Sequence, residues 1–124
     1  MLDQEKRVTN EFVNKTKDLG INLSDEQIRL FYDFYKLLIE ENKITNLTRI
    51  TDLDDVYNFH FYDSLNVKRA LDKIENVKLL DVGSGPGFPA TPLKLALPLI
   101  DLTIIEATNK KVEFIKKTVK ELDI

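Results

Sequence analysis

From position 3 to position 18, Val8, Phe12 and Val13 recur at loosely helical spacing, with Leu19 closing the run and Gly20 placed to end it as a left-handed cap. Ser24-Asp25-Glu26-Gln27 then has the form of a capping box, in which the Ser24 hydroxyl and the Gln27 side chain satisfy backbone donors at a helix start. Behind it Ile28, Phe31, Tyr32, Phe34, Tyr35, Leu38 and Ile39 populate more than one face, as in a helix packed between neighbours. Helical spacing alone accounts for these aromatics as core. Residues 43–51, KITNLTRIT, mix β-branched and turn-forming residues and predict a connection. Thr51, with Asp54 three positions on, is placed to cap a further helical segment, DLDDVYNFHFYDSLNVKRALDKI, with a break near Asp63-Ser64.

At Val77 the texture changes. Val77, Leu79, Leu80 and Val82 form a short apolar run ending in Gly83, which predicts a strand buried on both faces and hence a parallel sheet. Residues 89–97 read as a short helix opened by Pro89 or Pro92 and ended by Pro98. Leu102 to Ile105 make a second strand ending in Glu106, and Val112, Phe114, Ile115, Val119 and Leu122 space a helix over 109–122. Strand, helix, strand, helix is the opening of a doubly wound α/β fold, with a right-handed crossover between parallel neighbours. The chain thus divides into a helical region over 1–76 and an α/β region over 77–124. No Gly/Ser linker separates them, so the two are expected to pack together.

Composition narrows the chemistry. With 43% hydrophobic and 31% charged residues in 124, the chain belongs among globular proteins. The absence of Cys removes disulfides, thiolate metal sites and cysteine nucleophiles, and one His removes a multi-histidine metal site. A formal charge of −3, from 18 basic and 21 acidic residues, announces no nucleic-acid binder globally, so any RNA contact must come from local clusters. The charged N-terminus and the lack of a long apolar stretch predict a soluble, cytoplasmic protein without a membrane partner.

The candidate site is Asp81-Val82-Gly83-Ser84-Gly85-Pro86-Gly87-Phe88. Glycines at 83, 85 and 87 allow a sharp exit from the strand and close ligand approach, while the following helix offers unpaired amides. Glu106, at the carboxyl end of the next strand, is placed where open α/β sheets bind ligands, and a carboxylate there can accept both hydroxyls of a ribose. Dinucleotide enzymes use GxGxxG, whereas the spacing here is GxGxG followed by Phe88 and Pro89. Asp81 would repel a pyrophosphate and suits an ammonium or sulfonium instead. An NAD-type domain and a non-catalytic module that keeps only the loop's shape stay open on these residues.

The run LLDVGSGPGFPATPLKLALP, with ITNLTRI and HFYDSL upstream in the same order, resembles the glucose-inhibited division protein B family, the ribosomal RNA small subunit methyltransferase G enzymes, from about Glu26 to Ile124. The resemblance implies a class I, Rossmann-like fold and S-adenosylmethionine-dependent methylation of the seven-position ring nitrogen of a guanine in small-subunit ribosomal RNA. Carried over, the cofactor loop is Gly83, Ser84, Gly85, Pro86, Gly87 and Phe88, and the ribose neighbourhood is Glu106, Ala107 and Thr108. Ala90 stands where the family often has Gly. The resemblance also suggests that Asn46, Thr48, His60, Asp63 and Ser64 line the pocket mouth. A hydrolytic triad from His60, Asp63 and Ser64 is disfavoured, because no nucleophile elbow surrounds Ser64.

Two strands do not complete such a fold. The chain therefore reads as an amino-terminal portion of the enzyme, truncated after its second helix and inactive by itself. The uncovered sheet, carrying Leu80, Val82, Ile104 and Ile105, is expected to promote self-association.

Overall fold

The computed structural model describes residues 2–71 and 77–124. The expected junction near residue 76 and the end of the segment running to Ile74 lie outside the described residues.

Helix α1 spans Asp3–Asp18, with Val8, Phe12 and Thr16 buried along one stripe. It closes as the sequence predicts. Gly20 takes φ +76°, its amide donates to Lys17 O, and the Ile21 amide donates to Thr16 O, a Schellman closure. Helix α2, Asp25–Thr45, starts at the expected capping box, with the Gln27 amide 3.1 Å from Ser24 Oγ and the Ser24 amide 2.8 Å from Gln27 Oε1. It runs further than the sequence suggests. The first three residues of the KITNLTRIT stretch complete its last turn, and Asn46 ends it at φ 50°.

Asp52, not Thr51, precedes the next helix, and no side chain caps it. From there the chain changes helix type instead of breaking: α3 (Leu53–Asp55), a π-helical stretch (Val56–Tyr62), α4 (Asp63–Leu65) and a 3-10 turn (Asn66–Ala70). The wider turns place Val56, Tyr57, Phe61 and Leu65 inside, against α1 and α2. Phe12, Phe31, Tyr57 and Phe61 form an aromatic cluster with ring centroids 4.8 to 6.3 Å apart. Arrangements of this kind add directional preference to the burial of large apolar area.

Strands β1 (Lys78–Val82) and β2 (Asp101–Ile105) pair in parallel, Lys78 opposite Asp101 and Val82 opposite Ile105. Helix α5 (Ala90–Ala96) joins them and α6 (Asn109–Leu122) follows. Helix α2 knits the two regions. Its Phe34 stacks toward Phe88 and Phe114, its Gln27 Nε2 donates to Leu95 O and Ala96 O at the end of α5, and Lys117 pairs with Glu41 at 3.5 Å.

One expectation fails. The sheet is not buried on both faces: Leu80, Val82 and Ile105 are 56%, 68% and 53% exposed. The helices cover only the side carrying Leu79, Asp81, Leu102 and Ile104, so the apolar run in β1 reflects a face that α1–α6 leave open. Ile104, expected on the uncovered face, is half-buried on the covered one. Among the described residues no helix is long and apolar enough to cross a membrane.

Candidate functional site

The glycine loop leaves the sheet where β1 and β2 end together. The Gly83 amide donates to Ile105 O at 2.8 Å, extending the ladder by one residue. The chain then folds over Ser84, whose carbonyl accepts the amides of Gly87 at 3.1 Å and Phe88 at 2.9 Å. Gly87, at φ +119°, has no room for a side chain, since a Cβ would lie 2.5 Å from Thr91 Oγ1. Gly83 and Gly85, at φ +74° and +61°, differ: a Cβ on either would meet nothing within 4 Å. Backbone and open space therefore coincide at the strand ends, where α/β sheets take ligands.

Glu106 follows β2 directly. Its Oε1 accepts the Gly85 amide at 2.8 Å and its Oε2 the Thr108 amide at 2.7 Å, so one carboxylate ties the loop to the start of α6. These backbone donors, Thr108 first and then Gly85, hold its carboxyl below the usual carboxylate range. Ala107 and Thr108 are exposed beside it.

Asp81 has a structural partner that its sequence position conceals. It is buried in β1, and its Oδ2 accepts the Ala90 amide at 3.1 Å, while the Thr91 amide donates to Gly87 O at 2.7 Å. The helix amides that the sequence reading offers to a ligand are thus engaged within the protein. Ser84 Oγ, on a side chain only 2% exposed, has no hydrogen-bond partner among the described residues. A buried hydroxyl without a partner is uncommon in native structures.

Phe88 joins the loop to the second cluster. The His60 ring lies flat against it, centroids 4.2 Å apart and planes 5° off parallel. His60 Nε2 shares a 2.9 Å hydrogen bond with Thr48 Oγ1, which also accepts the Ile50 amide. Burial lowers the His60 pKa, and the charge of Asp63 opposes that fall. Ser64 Oγ donates to the His60 backbone carbonyl and not to its ring, which leaves the triad without a relay. His60, Asp63 and Ser64 share a groove with Phe88 and Pro89. Asn46 stands apart as the left-handed end of α2, and the adjacent Thr45 carbonyl accepts Lys110 Nζ of α6.

Phe59 also lines this groove, 62% exposed, and was not singled out from the sequence. The signal lay in its register: it falls off the stripe of Val56, Tyr57, Phe61 and Leu65, where an aromatic gains nothing from the core.

Residues 27–124 match the family profile described as GidB, rRNA small subunit methyltransferase G. The chain belongs to this family. The match begins within the capping box of α2 and takes in both the glycine loop and the His60 segment. Among similar relatives, proteins named ribosomal RNA small subunit methyltransferase G are 44% identical over 115 residues in Leuconostoc citreum (strain KM20) and 42% identical over 116 residues in Limosilactobacillus reuteri (strain DSM 20016). Another, from Streptococcus pneumoniae serotype 19F (strain G54), is 42% identical over 114 residues. These alignments cover 91%, 92% and 91% of this chain and 48% of each relative. The chain thus spans about half the length of the curated relatives it matches.

Proposed function

We propose that this chain carries the methyl-donor loop and part of the target pocket of an S-adenosylmethionine-dependent methyltransferase acting on the seven-position nitrogen of a guanine in small-subunit ribosomal RNA, in the cytoplasm. The observation that carries the reading is the pairing of open space over Gly83 and Gly85 with a carboxylate at the end of the adjacent strand. The methyl donor, when bound, supplies an electrophilic methyl group on a sulfonium.

The residues present fit such a group. Glu106 offers two oxygens to a vicinal diol, exchanging the Gly85 and Thr108 amides for ribose hydroxyls. Gly83 to Phe88 would approach the donor through backbone, and Ser84 Oγ gives the loop an unused polar group. Ala107 and Thr108 lie next to the expected ribose. Asp81 fixes the loop from beneath through the Ala90 amide. Thr48, His60, Asp63 and Ser64 shape the approach of the target, with the ring of His60 held by Thr48 and Phe88, while Asn46 serves as the end of α2. Attack by a ring nitrogen needs alignment more than a strong base, so positioning supplies most of the rate.

Because the chain spans about half of its relatives, we propose that methyl transfer requires the other half of their length. The exposed face of Leu80, Val82 and Ile105 supports self-association of this chain when nothing else covers it.

Isothermal titration of S-adenosylhomocysteine and of NAD into the chain tests the reading. Heat saturating with the first and absent with the second is expected, and Glu106→Ala should remove it. Binding of NAD instead would replace the reading with a dinucleotide domain. Heat with neither would reduce the loop to a structural turn.

A further inference from the structure

The glycine loop has few side chains with which to hold itself in place. Three of the six residues from Gly83 to Phe88 are glycine, and Phe88 carries the loop's one aromatic ring. Its backbone also closes the turn, since the Phe88 amide donates to Ser84 O beside that of Gly87. The seat of the Phe88 ring therefore bears directly on whether the backbone folds over Ser84. Among the described residues three rings pack against it. Phe34 and Phe61 are tilted by 44° and 39°, with centroids at 5.6 and 6.2 Å, whereas His60 lies parallel at 4.2 Å.

The His60 ring is itself fixed from the helical region. Its Nε2 shares the 2.9 Å hydrogen bond with Thr48 Oγ1, and the Thr48 amide donates at 2.8 Å to Asn42 Oδ1 in the last turn of α2. The Ile50 amide donates to the same Thr48 hydroxyl at 3.1 Å, so Thr48 is held at both its backbone and its side chain. A row of contacts thus runs from α2 through Thr48 to the ring that lies on Phe88.

We infer that Thr48 and His60 are positioning residues for the methyl-donor loop, acting through Phe88. The inference rests on the methyl-donor reading of that loop, and it gives the two residues a task separate from the approach of the target. A flat contact restrains the tilt of the Phe88 ring as well as its place, a preference that aromatic pairs add beyond buried area. With the ring seated, Ser84 O keeps both amides, and the backbone at Gly85 stays where Glu106 meets it. A loop held in this way before the ligand arrives has less to order on binding.

Amide hydrogen exchange in the ligand-free chain tests this without reference to the donor. His60→Ala should speed exchange of the Gly87 and Phe88 amides about fivefold, as expected from losing one aromatic pair, with the amides of α1 at parent rates. His60→Leu fills the space without a flat ring and should exchange as fast, whereas His60→Phe should return both amides to within about twofold of the parent. Thr48→Val should move the ring nitrogen resonances of His60 and speed the same two amides. Asn58→Ala, on the same π-helical stretch but bonded to Lys15, should leave the loop at parent rates. Parent-like circular dichroism is the control for folding.

S-adenosylhomocysteine affinity, measured in parallel, should fall about fivefold in His60→Ala and His60→Leu and recover in His60→Phe. Its addition to the parent should shift the His60 ring protons, a readout that needs no variant. Loop exchange at parent rates in His60→Ala, or His60→Phe exchanging as fast as His60→Leu, would overturn the inference. A parent chain that takes no S-adenosylhomocysteine while the loop amides respond as described would defeat the methyl-donor reading alone. Equal affinity in the parent and all three His60 variants, beside unaltered loop exchange, would defeat the positioning role alone.

Discussion

The Gly85 amide and the Glu106 carboxylate meet at 2.8 Å, so the turn after β1 is held by the residue that ends β2. Glu106 also accepts the Thr108 amide, and the two donors keep it ionised to lower pH than an ordinary glutamate. Hydrogen exchange of these amides reports the clamp. Glu106→Ala should speed exchange at Gly85 and Thr108 while leaving the amides of α2 at parent rates. Unchanged exchange at Gly85 would mean that the loop holds its shape without the carboxylate.

The glycines of the loop should separate under substitution. Gly87→Ala forces a Cβ against Thr91 Oγ1 in addition to an unfavourable φ, whereas Gly85→Ala meets only the cost of the left-handed region, roughly 1–2 kcal/mol. Urea unfolding should therefore rank Gly87→Ala as the more destabilised, with Thr91→Ala recovering part of the loss. For S-adenosylhomocysteine binding the folded Gly85→Ala variant should be severely impaired, since its methyl enters the open space.

Phe88 supports the His60 ring and touches Phe34 and Phe61 in the core. It is half-buried, so Phe88→Ala should cost about 2 kcal/mol, below the range for a fully buried phenylalanine. Chemical denaturation measures this. A loss below half that value would show that the stack contributes little to stability.

His60 is the only histidine, so its ring protons give one titration without assignment ambiguity. Burial should place its midpoint below 6.5, and Asp63→Asn should lower it further by removing the charge that opposes the fall. A depressed folded pKa means that the unfolded chain binds the proton more readily. The His60 contribution to stability is then present above the unfolded pKa and is lost as pH falls from about 6.5 through the folded value. His60→Gln should flatten that part of the stability profile. A midpoint above 6.5 would contradict the burial of the ring.

The open sheet face predicts behaviour in solution. Sedimentation at rising concentration should show association, and Val82→Lys should reverse it by placing a charge among Leu80, Val82 and Ile105. A monomer at all concentrations would leave the face without that role.

What the sequence made legible was local. The Ser24–Gln27 capping box and the Gly20 closure depend on residues within one turn of each other, so their chemistry is written in adjacent positions. The strand–loop–helix around Gly83 to Gly87 was readable for the same reason, and Glu106 through the known geometry of parallel strand ends. The stacking of His60 on Phe88 joins distant segments and has no local signature. The π-helical turns escaped because their period lies close to that of an ordinary helix over so short a stretch. The exposure of Leu80 and Val82 could not be read because consecutive apolar residues carry no record of whether a second layer covers them. Asp81 looked available to a ligand, and only the fold brings the Ala90 amide to it.

The central claim is that the methyl donor's place is the space over Gly83 and Gly85, bounded by Glu106. Mapping backbone amide shifts while S-adenosylhomocysteine is added tests it most directly. The largest shifts should fall on Gly83 to Phe88 and on Glu106 to Thr108, with the Gly85 amide moving as Glu106 releases it. Shifts confined to other surfaces, or identical shifts in the Glu106→Ala variant, would contradict the account.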